Sequence, residues 1–335
     1  MRVEIIVFGA IFVFVVVASI FLSVPQQTSE LQNLGSAPEL SDIQGWINSD
    51  PLTIGQLKGK VVLVDFWTYS CINCIRTLPY LESWYDKYHD KGLVVIGVHT
   101  PEFEFEKSYS NVKTAVEKYG IKYAVAQDNN YATWNAFGNK YWPRKYLIDK
   151  DGNIRYDHIG EGGYEETETA IRYLLQEARP FLLENAADIS QDTNFSEIGT
   201  PEIYLGYSFA RSPLGNIEGF SPGKIVNYTV SNITSPNTIY LSGSWKNEAD
   251  RIVAVDNAKL FLVYKAKNVN IVAGGNSTTN VFVDGEIAGG DDVLNGIANI
   301  NSYRLYNVVF GINYDVHLLE IGASHGFELY TVTFG

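Results

Sequence analysis

The spacing of apolar and polar positions changes character twice along the 335-residue chain. Residues 5–24 are an uncharged, 20-residue run, mostly Val, Ile, Phe and Leu. A helix of that length spans roughly 30 Å, the hydrocarbon thickness of a bilayer. Residues 26–37 are polar and read as a linker. From Pro38 to about 184, buried-strand and helix patterns alternate. Residues 61–66 and 93–98 are short apolar strands. Across 72–88, Ile72, Ile75, Leu78, Leu81 and Tyr85 recur at three- and four-residue steps, a helix that Pro79 is expected to kink. Further helices are predicted over 103–119, 131–137 and 165–177, and strands over 123–126, 145–148 and 154–159. The last two strands flank Asp149-Lys150-Asp151-Gly152, a hairpin turn signal. This is an α/β layer around a central sheet.

After a polar linker at 185–200 the helical period disappears. Short strands are predicted at 225–230, 238–242, 259–265, 270–273, 280–283, 303–309, 316–321 and 328–334, punctuated by Gly, Asn, Ser and Pro. Around eight strands and no helix indicate a β-sandwich or jelly roll. The chain therefore divides into an N-terminal apolar segment (1–25), a linker (26–37), an α/β domain (38–184), a second linker (185–200) and an all-β domain (201–335).

Composition narrows the function. The net charge is −13, with no basic stripe, which argues against nucleic acid as a partner. Residues 200–335 carry −4 of that charge and the rest of the chain −9. Arg2 precedes the apolar run and favours a cytoplasmic N-terminus, with everything beyond residue 25 outside the cytoplasm. An uncleaved signal anchor is the preferred reading; a cleaved signal peptide would make the chain secreted, but no clean Ala-x-Ala site is present. Two cysteines with no spare thiol suit an extracytoplasmic protein. Asn194, Asn227, Asn232 and Asn276 each begin Asn-x-Ser/Thr, acceptors for glycosylation in a host with the machinery.

Those cysteines, Cys71 and Cys74, are the strongest chemical signal. They close the run Val-Asp-Phe-Trp-Thr-Tyr-Ser-Cys-Ile-Asn-Cys at 64–74. The first lies where a buried strand hands over to a helix, so the helix dipole and unpaired N–H groups favour a thiolate. Residues three apart on one turn are close enough to bond. A disulfide closing so small a loop restrains the unfolded chain little, so a redox role suits the pair better than a staple. A static disulfide and half of a metal site are the plain alternatives. With five scattered histidines and no second Cys pair, no metal or other cofactor is expected. Thr68-x-x-Cys71 has the spacing of a peroxiredoxin motif, but Val64 stands where that motif has proline.

The segment Val-Asp-Phe-Trp followed by Cys-x-x-Cys resembles thioredoxin-fold oxidoreductases. Pro143, in Tyr-Trp-Pro-Arg-Lys-Tyr-Leu-Ile-Asp at 141–149, looks like the cis-proline of that fold. The Cys71–Pro143 separation leaves room for an extra strand–helix unit, similar to the membrane-tethered TlpA/ResA branch. The runs from His99 to Glu106, from Trp142 to Gly152 and from Gly160 to Tyr164 resemble the soluble region of DipZ-type proteins. Thr200–Tyr207 and Leu329–Gly335 resemble the carbohydrate-binding-module-like β-sandwich appended there. DipZ-type proteins also carry a multi-helix membrane domain. This chain has one candidate span, so the resemblance implies a separate membrane electron donor or acceptor.

The resemblance assigns roles residue by residue. Cys71 is the nucleophile and Cys74 the resolving thiol. Asp65 matches the buried acid that takes the Cys74 proton; its plain alternative is a strand-end residue bonded to backbone. Glu102 matches an active-site glutamate of the ResA branch, or else belongs to an acidic first turn with Glu104 and Glu106. Trp67 and Trp142 are expected to flank the cysteines, and Trp142-Pro143 to receive an extended client through backbone hydrogen bonds. Trp67 and Tyr69 are placed with Trp142 as client-contacting residues, ordinary core packing being the plain alternative for Trp67, and Tyr69, Ser70, Ile72 and Asn73 set the local polarity. The implied activity is thiol–disulfide exchange with client proteins, in the reducing direction and serving cytochrome c maturation. The alternative from another class is a surface glycan- or protein-binding module. For it, Trp245, Tyr264, Tyr303 and Tyr306 are candidate sugar-stacking aromatics, against ordinary core residues. Asp250, Asp256, Asp284, Asp291 and Asp292 lack any calcium-loop spacing. Copper handling is a third reading, weakened by the absence of a His-rich element.

Overall fold

A computed structural model describes residues 31–179, 193–311 and 313–335. The expected membrane segment, the first linker up to residue 30 and part of the second linker lie outside them. Among the described residues no helix is long and apolar enough to cross a membrane.

The first domain is built on six strands and four α-helices in the order β1 (Gly45–Ile47), β2 (Val61–Trp67), α1 (Ile72–Tyr88), β3 (Leu93–His99), α2 (Tyr109–Tyr119), β4 (Ala124–Gln127), α3 (Ala132–Ala136), β5 (Arg144–Ile148), β6 (Ile154–Ile159) and α4 (Tyr164–Ala178). The sheet order is β1-β4-β3-β2-β5-β6. β2, β3 and β4 are parallel, while β1, β5 and β6 pair antiparallel to their neighbours. β2 lies inside the sheet and all seven of its residues are buried, which is why it reads as an unbroken apolar run. α1 continues through Pro79 as one helix of 17 residues.

The predicted helix 103–119 is divided. Glu104–Lys107 forms a single 3-10 turn, Ser108 is extended (φ −68°, ψ 118°), and α2 starts only at Tyr109. The cause is tertiary. Residues i and i+2 of a helix do not share a face. Phe103 and Phe105 nevertheless both pack into one apolar seam, with their rings 5.5 Å apart and nearly parallel.

The second domain adds β7 (Ile203–Tyr204), β8 (Ile225–Tyr228), β9 (Ile239–Asn247), β10 (Ile252–Lys265), β11 (Asn268–Gly274), β12 (Ser277–Val283), β13 (Glu286–Ile287), β14 (Val293–Leu294), β15 (Ile297–Ile300), β16 (Arg304–Phe310), β17 (Val316–Ala323) and β18 (Glu328–Phe334). That is more than the eight expected. β7, β13 and β14, two residues each, are too short to show alternation, and in β15 the alternating burial leaves an apolar residue, Ile297, on the exposed side. β10 is twice its predicted length, because irregular register around Ala254, Asp256 and Lys259 breaks the pattern in its first half. That strand joins the network. Its start pairs with β18, its end with β17, and β9 runs beside both parts. Leu260, Leu262, Val281 and Ile321 from one set of strands and Ile271, Tyr306, Leu329 and Val332 from another share one buried core.

The domains meet along an aromatic seam. Ile72 and Ile75 of α1 and Phe103 and Phe105 from the loop after β3 pack against Tyr204, Val272, Tyr303, Leu305 and Tyr330. Phe105 stacks on Tyr303 (ring centroids 5.3 Å) and meets Tyr330 edge-on (4.9 Å). Phe103 meets Tyr330 edge-on as well, at 5.1 Å. Polar ties reinforce the contact: the Tyr69 hydroxyl donates to the Tyr303 carbonyl (3.0 Å), and Arg76 Nη2 donates to the Phe334 carbonyl (2.8 Å). The all-β domain is therefore seated on the residues that surround Cys71.

Candidate active site

Cys71 caps the N-terminus of α1, extended at φ −79° and ψ 115°, and its carbonyl accepts the Ile75 N–H at 3.0 Å. It is partly exposed, whereas Cys74 is fully buried. The helix imposes this asymmetry, since three residues turn the second thiol inward. Burial, the neighbouring Cys71 sulfur and the Asp65 carboxylate push the Cys74 thiol well above its usual range. A group that takes its proton is therefore needed before it can attack.

Asp65 lies near enough for its charge to act on that thiol. It is fully buried in the middle of β2, and burial raises its carboxyl above the ordinary range. The cross-strand partner of Asp65 is Lys145 on β5, also fully buried. Its Nζ lies 3.2 Å from Asp65 Oδ1, close enough to pair charges yet without a well-directed hydrogen bond on either side. The lysine opposes the rise in the Asp65 carboxyl. Lys145 was missed in the sequence, although a charged residue inside a buried strand calls for a counterion opposite it.

The three residues before Cys71 are held from several sides. Burial pushes the His99 imidazole down to about 3, so the ring is neutral. A neutral ring whose Nε2 faces the Tyr69 N–H at 3.4 Å accepts there, which assigns the proton to Nδ1. The same nitrogen lies 3.3 Å from the Thr68 hydroxyl, and the Tyr69 ring stacks on His99. Ser70 donates to Glu106 Oε1 at 2.5 Å, while Glu106 Oε2 accepts the backbone N–H groups of Glu102 (2.5 Å) and Phe103 (2.9 Å). Glu106, expected only as part of an acidic turn, is thus the buried anchor between the Cys71 loop and the seam loop.

Glu102 is directed at the second domain. Tyr204 places its hydroxyl 2.6 Å from Glu102 Oε1 and 3.0 Å from Glu202 Oε2, with the Arg211 guanidinium over its ring at 4.6 Å. A phenol has one proton to donate. Both bonds form only if one carboxyl keeps its own proton. Burial and the Glu202 charge accordingly push Glu102 up to about 8.

The Trp142–Pro143 peptide is cis, and Pro143 is buried. Trp142 is partly exposed, lies 4.2 Å from the Trp134 ring, and donates its indole N–H to the Thr100 carbonyl at 3.0 Å. Trp67 and Tyr69, expected to face the client, do not: they are 0% and 3% exposed. Trp67 fills the space beneath Gly97 and meets His99 edge-on, and Tyr69 is spent on the seam. Of the candidate sugar-stacking residues, Trp245, Tyr264 and Tyr306 are core residues and Tyr303 packs in the seam, so they form no exposed platform.

With this geometry established, comparison with known proteins is direct. Residues 36–175 match the Redoxin family and residues 200–335 the "Thioredoxin like C-terminal domain" family. The chain is 33% identical to thiol-disulfide oxidoreductase YkuV of Bacillus subtilis over 141 residues, 42% of this chain and 94% of that protein. The chain belongs to the thioredoxin-family thiol-disulfide oxidoreductases. It is also 32% identical to thiol-disulfide oxidoreductase ResA of Bacillus thuringiensis, over 40% of this chain and 72% of that one. Protein DipZ of Mycobacterium tuberculosis is 38% identical over 313 residues, 92% of this chain. The chain spans 44% of the length of that DipZ protein.

Two outcomes follow for this oxidoreductase. Lys145→Met leaves a buried carboxyl without its counterion and should cost about 3–5 kcal/mol in urea unfolding. Combining it with Asp65→Asn should cost less than the sum of the single changes, because the two groups compensate one another. The second outcome concerns pH. The folded protein keeps the Glu102 proton between about 4.5 and 8, where the unfolded chain has lost it, so stability falls as pH rises through that window. Glu102→Gln should shrink the difference in urea midpoint between pH 5 and pH 8; an unchanged difference would refute the assignment.

Proposed function

We propose that Cys71 and Cys74 form the redox pair of a membrane-anchored, extracytoplasmic oxidoreductase that reduces disulfides in client proteins. The observation that carries the reading is the asymmetry of the pair: an accessible sulfur at a helix N-terminus, and a buried one backed by Asp65 and Lys145.

Chemistry follows from that asymmetry. The Cys71 thiolate attacks one sulfur of the client disulfide, and the other client sulfur leaves as a thiolate. Cys74 passes its proton to Asp65 and attacks the Cys71 sulfur of the mixed disulfide. The second client thiolate departs, two electrons have moved to the client, and the enzyme holds a Cys71–Cys74 disulfide. The Asp65 carboxyl suits proton uptake because burial raises it, while Lys145 keeps its ionised form tenable between turnovers. By the family resemblance, we assign the segment at Trp142 and Pro143 to receiving an extended client strand through backbone hydrogen bonds. Resetting the pair requires a dithiol donor, which we assign to a separate membrane protein. From the resemblance to the TlpA/ResA branch and DipZ-type proteins we assign the reducing direction and a role in cytochrome c maturation. The apolar run at 5–24 supports the anchor.

Cys71→Ser should abolish insulin disulfide reduction, and Cys74→Ser should accumulate a mixed disulfide between Cys71 and the client. Full insulin reduction by Cys71→Ser would end the reading. The direction is read from the reduction potential of the pair: near or below about −250 mV the protein is a reductant, whereas a value near about −120 mV would make it an oxidant.

A further inference from the structure

A crevice of about 250 Å³ opens between the domains directly beside the redox helix. Asn73, Arg76 and Glu161 line it from the first domain, Phe195 from the second linker, and Glu202 and Thr333 from the second domain. Asn73 is two residues beyond Cys71. Glu161 follows Gly160, whose N–H donates to the Pro143 carbonyl at 2.8 Å. The crevice therefore lies between the first turn of α1 and the loop hydrogen-bonded to Pro143, with Ile72 and Asn73, the two residues after Cys71, in its lining.

Its polarity is one-sided. The Arg76 guanidinium is already engaged, donating to the Phe334 carbonyl at 2.8 Å, contacting Glu161 Oε1 at 3.5 Å and lying over the Phe195 ring at 5.7 Å. The acceptors are not all used. Glu161 Oε2 and Thr333 Oγ1 are both buried and have no hydrogen-bond partner among the described residues, and Thr333 as a whole is 2% exposed. Glu202 is taken up by Tyr204, so the unused Glu161 oxygen and the Thr333 hydroxyl, beside one committed cation, leave the lining short of donors. Unpaired buried acceptors are costly, and a ligand that donates hydrogen bonds removes the cost.

We propose that this crevice is a specificity subsite for a client polypeptide, receiving a lysine or arginine side chain that flanks the client's disulfide cysteine. The inference rests on Cys71 being the attacking thiol. The ammonium or guanidinium supplies the missing donors to Glu161 Oε2 and Thr333 Oγ1. The net charge of −13 on the whole chain draws such clients toward it. The all-β domain then has a direct part in recognition, because it supplies one wall of the subsite.

The test uses the full chain with its pair reduced. Three peptides, identical except for lysine, alanine or glutamate on both sides of one cysteine, are each disulfide-bonded to thionitrobenzoate. Attack by Cys71 on the peptide sulfur forms the enzyme–peptide disulfide and releases the coloured thiolate, whose appearance gives the rate. Lysine should exceed alanine by about tenfold, as expected for one charge-assisted pair, and alanine should exceed glutamate. Glu161→Gln and, independently, Thr333→Val should each bring the lysine-to-alanine ratio down toward one. The ratio cancels any common loss of fold or thiol reactivity. Equal rates for the three peptides, or a lysine preference that survives both substitutions, would overturn the subsite and leave the redox reading intact. A reduced protein that releases no thionitrobenzoate from any peptide or from Ellman's reagent would overturn the redox reading and this one with it.

Discussion

The loop from Pro101 to Lys107 has to satisfy two partners at once. Its aromatic residues, Phe103 and Phe105, belong to the seam with the second domain, and its carboxylate Glu106 belongs to the redox site. Apolar burial and a buried, fully bonded carboxylate are opposite demands on neighbouring positions. They are reconciled by breaking the helix: the 3-10 turn lets both rings face the seam while Glu106 folds back onto the N–H groups of Glu102 and Phe103. Everything near Cys71 inherits its position from this compromise, because Ser70 hangs on Glu106 and Tyr69 on the seam itself.

The site can be viewed as two electrostatic compartments. Behind Cys74 lies a dry one, where Asp65 and Lys145 are fully buried and interact little with solvent ions. In front of the Cys71 loop lies a second, made of Glu102, Tyr204 and Glu202, where a proton is held between domains. Glu106 lies between them and contributes to the elevation of Glu102. The first sets a buried charge pair near the Cys74 thiol, and the second joins Glu102 of one domain to Tyr204 of the other.

Much of this was legible in the sequence, and the gaps have physical causes. β2 and β3 are legible as nearly unbroken buried runs, α1 from its three- and four-residue spacing, and β6 and β18 as continuous stretches bounded by turn residues. Cys71, Cys74, Asp65 and Pro143 stand out through spacing and family resemblance. Glu106, Lys145 and Tyr204 were not identified, because each has a deciding partner far away in the chain: Ser70 is 36 residues from Glu106, and Tyr204 is 102 residues from Glu102. A one-dimensional pattern cannot show which of several acidic residues turns inward. Trp67 and Tyr69 were misplaced for the same reason. Their closeness to the cysteines in sequence suggests contact with clients, whereas strand alternation and the His99 ring draw them into the core.

The ties from Tyr69 and Arg76 across the seam both end on main-chain carbonyls, those of Tyr303 and Phe334. A carbonyl acceptor is present whatever side chain occupies the position. A substitution at 303 or 334 would therefore disturb packing, in the seam or in the core, without removing the acceptor on which either tie ends. Alignment of the two domains and the filling of their contact are carried by different atoms of the same residues.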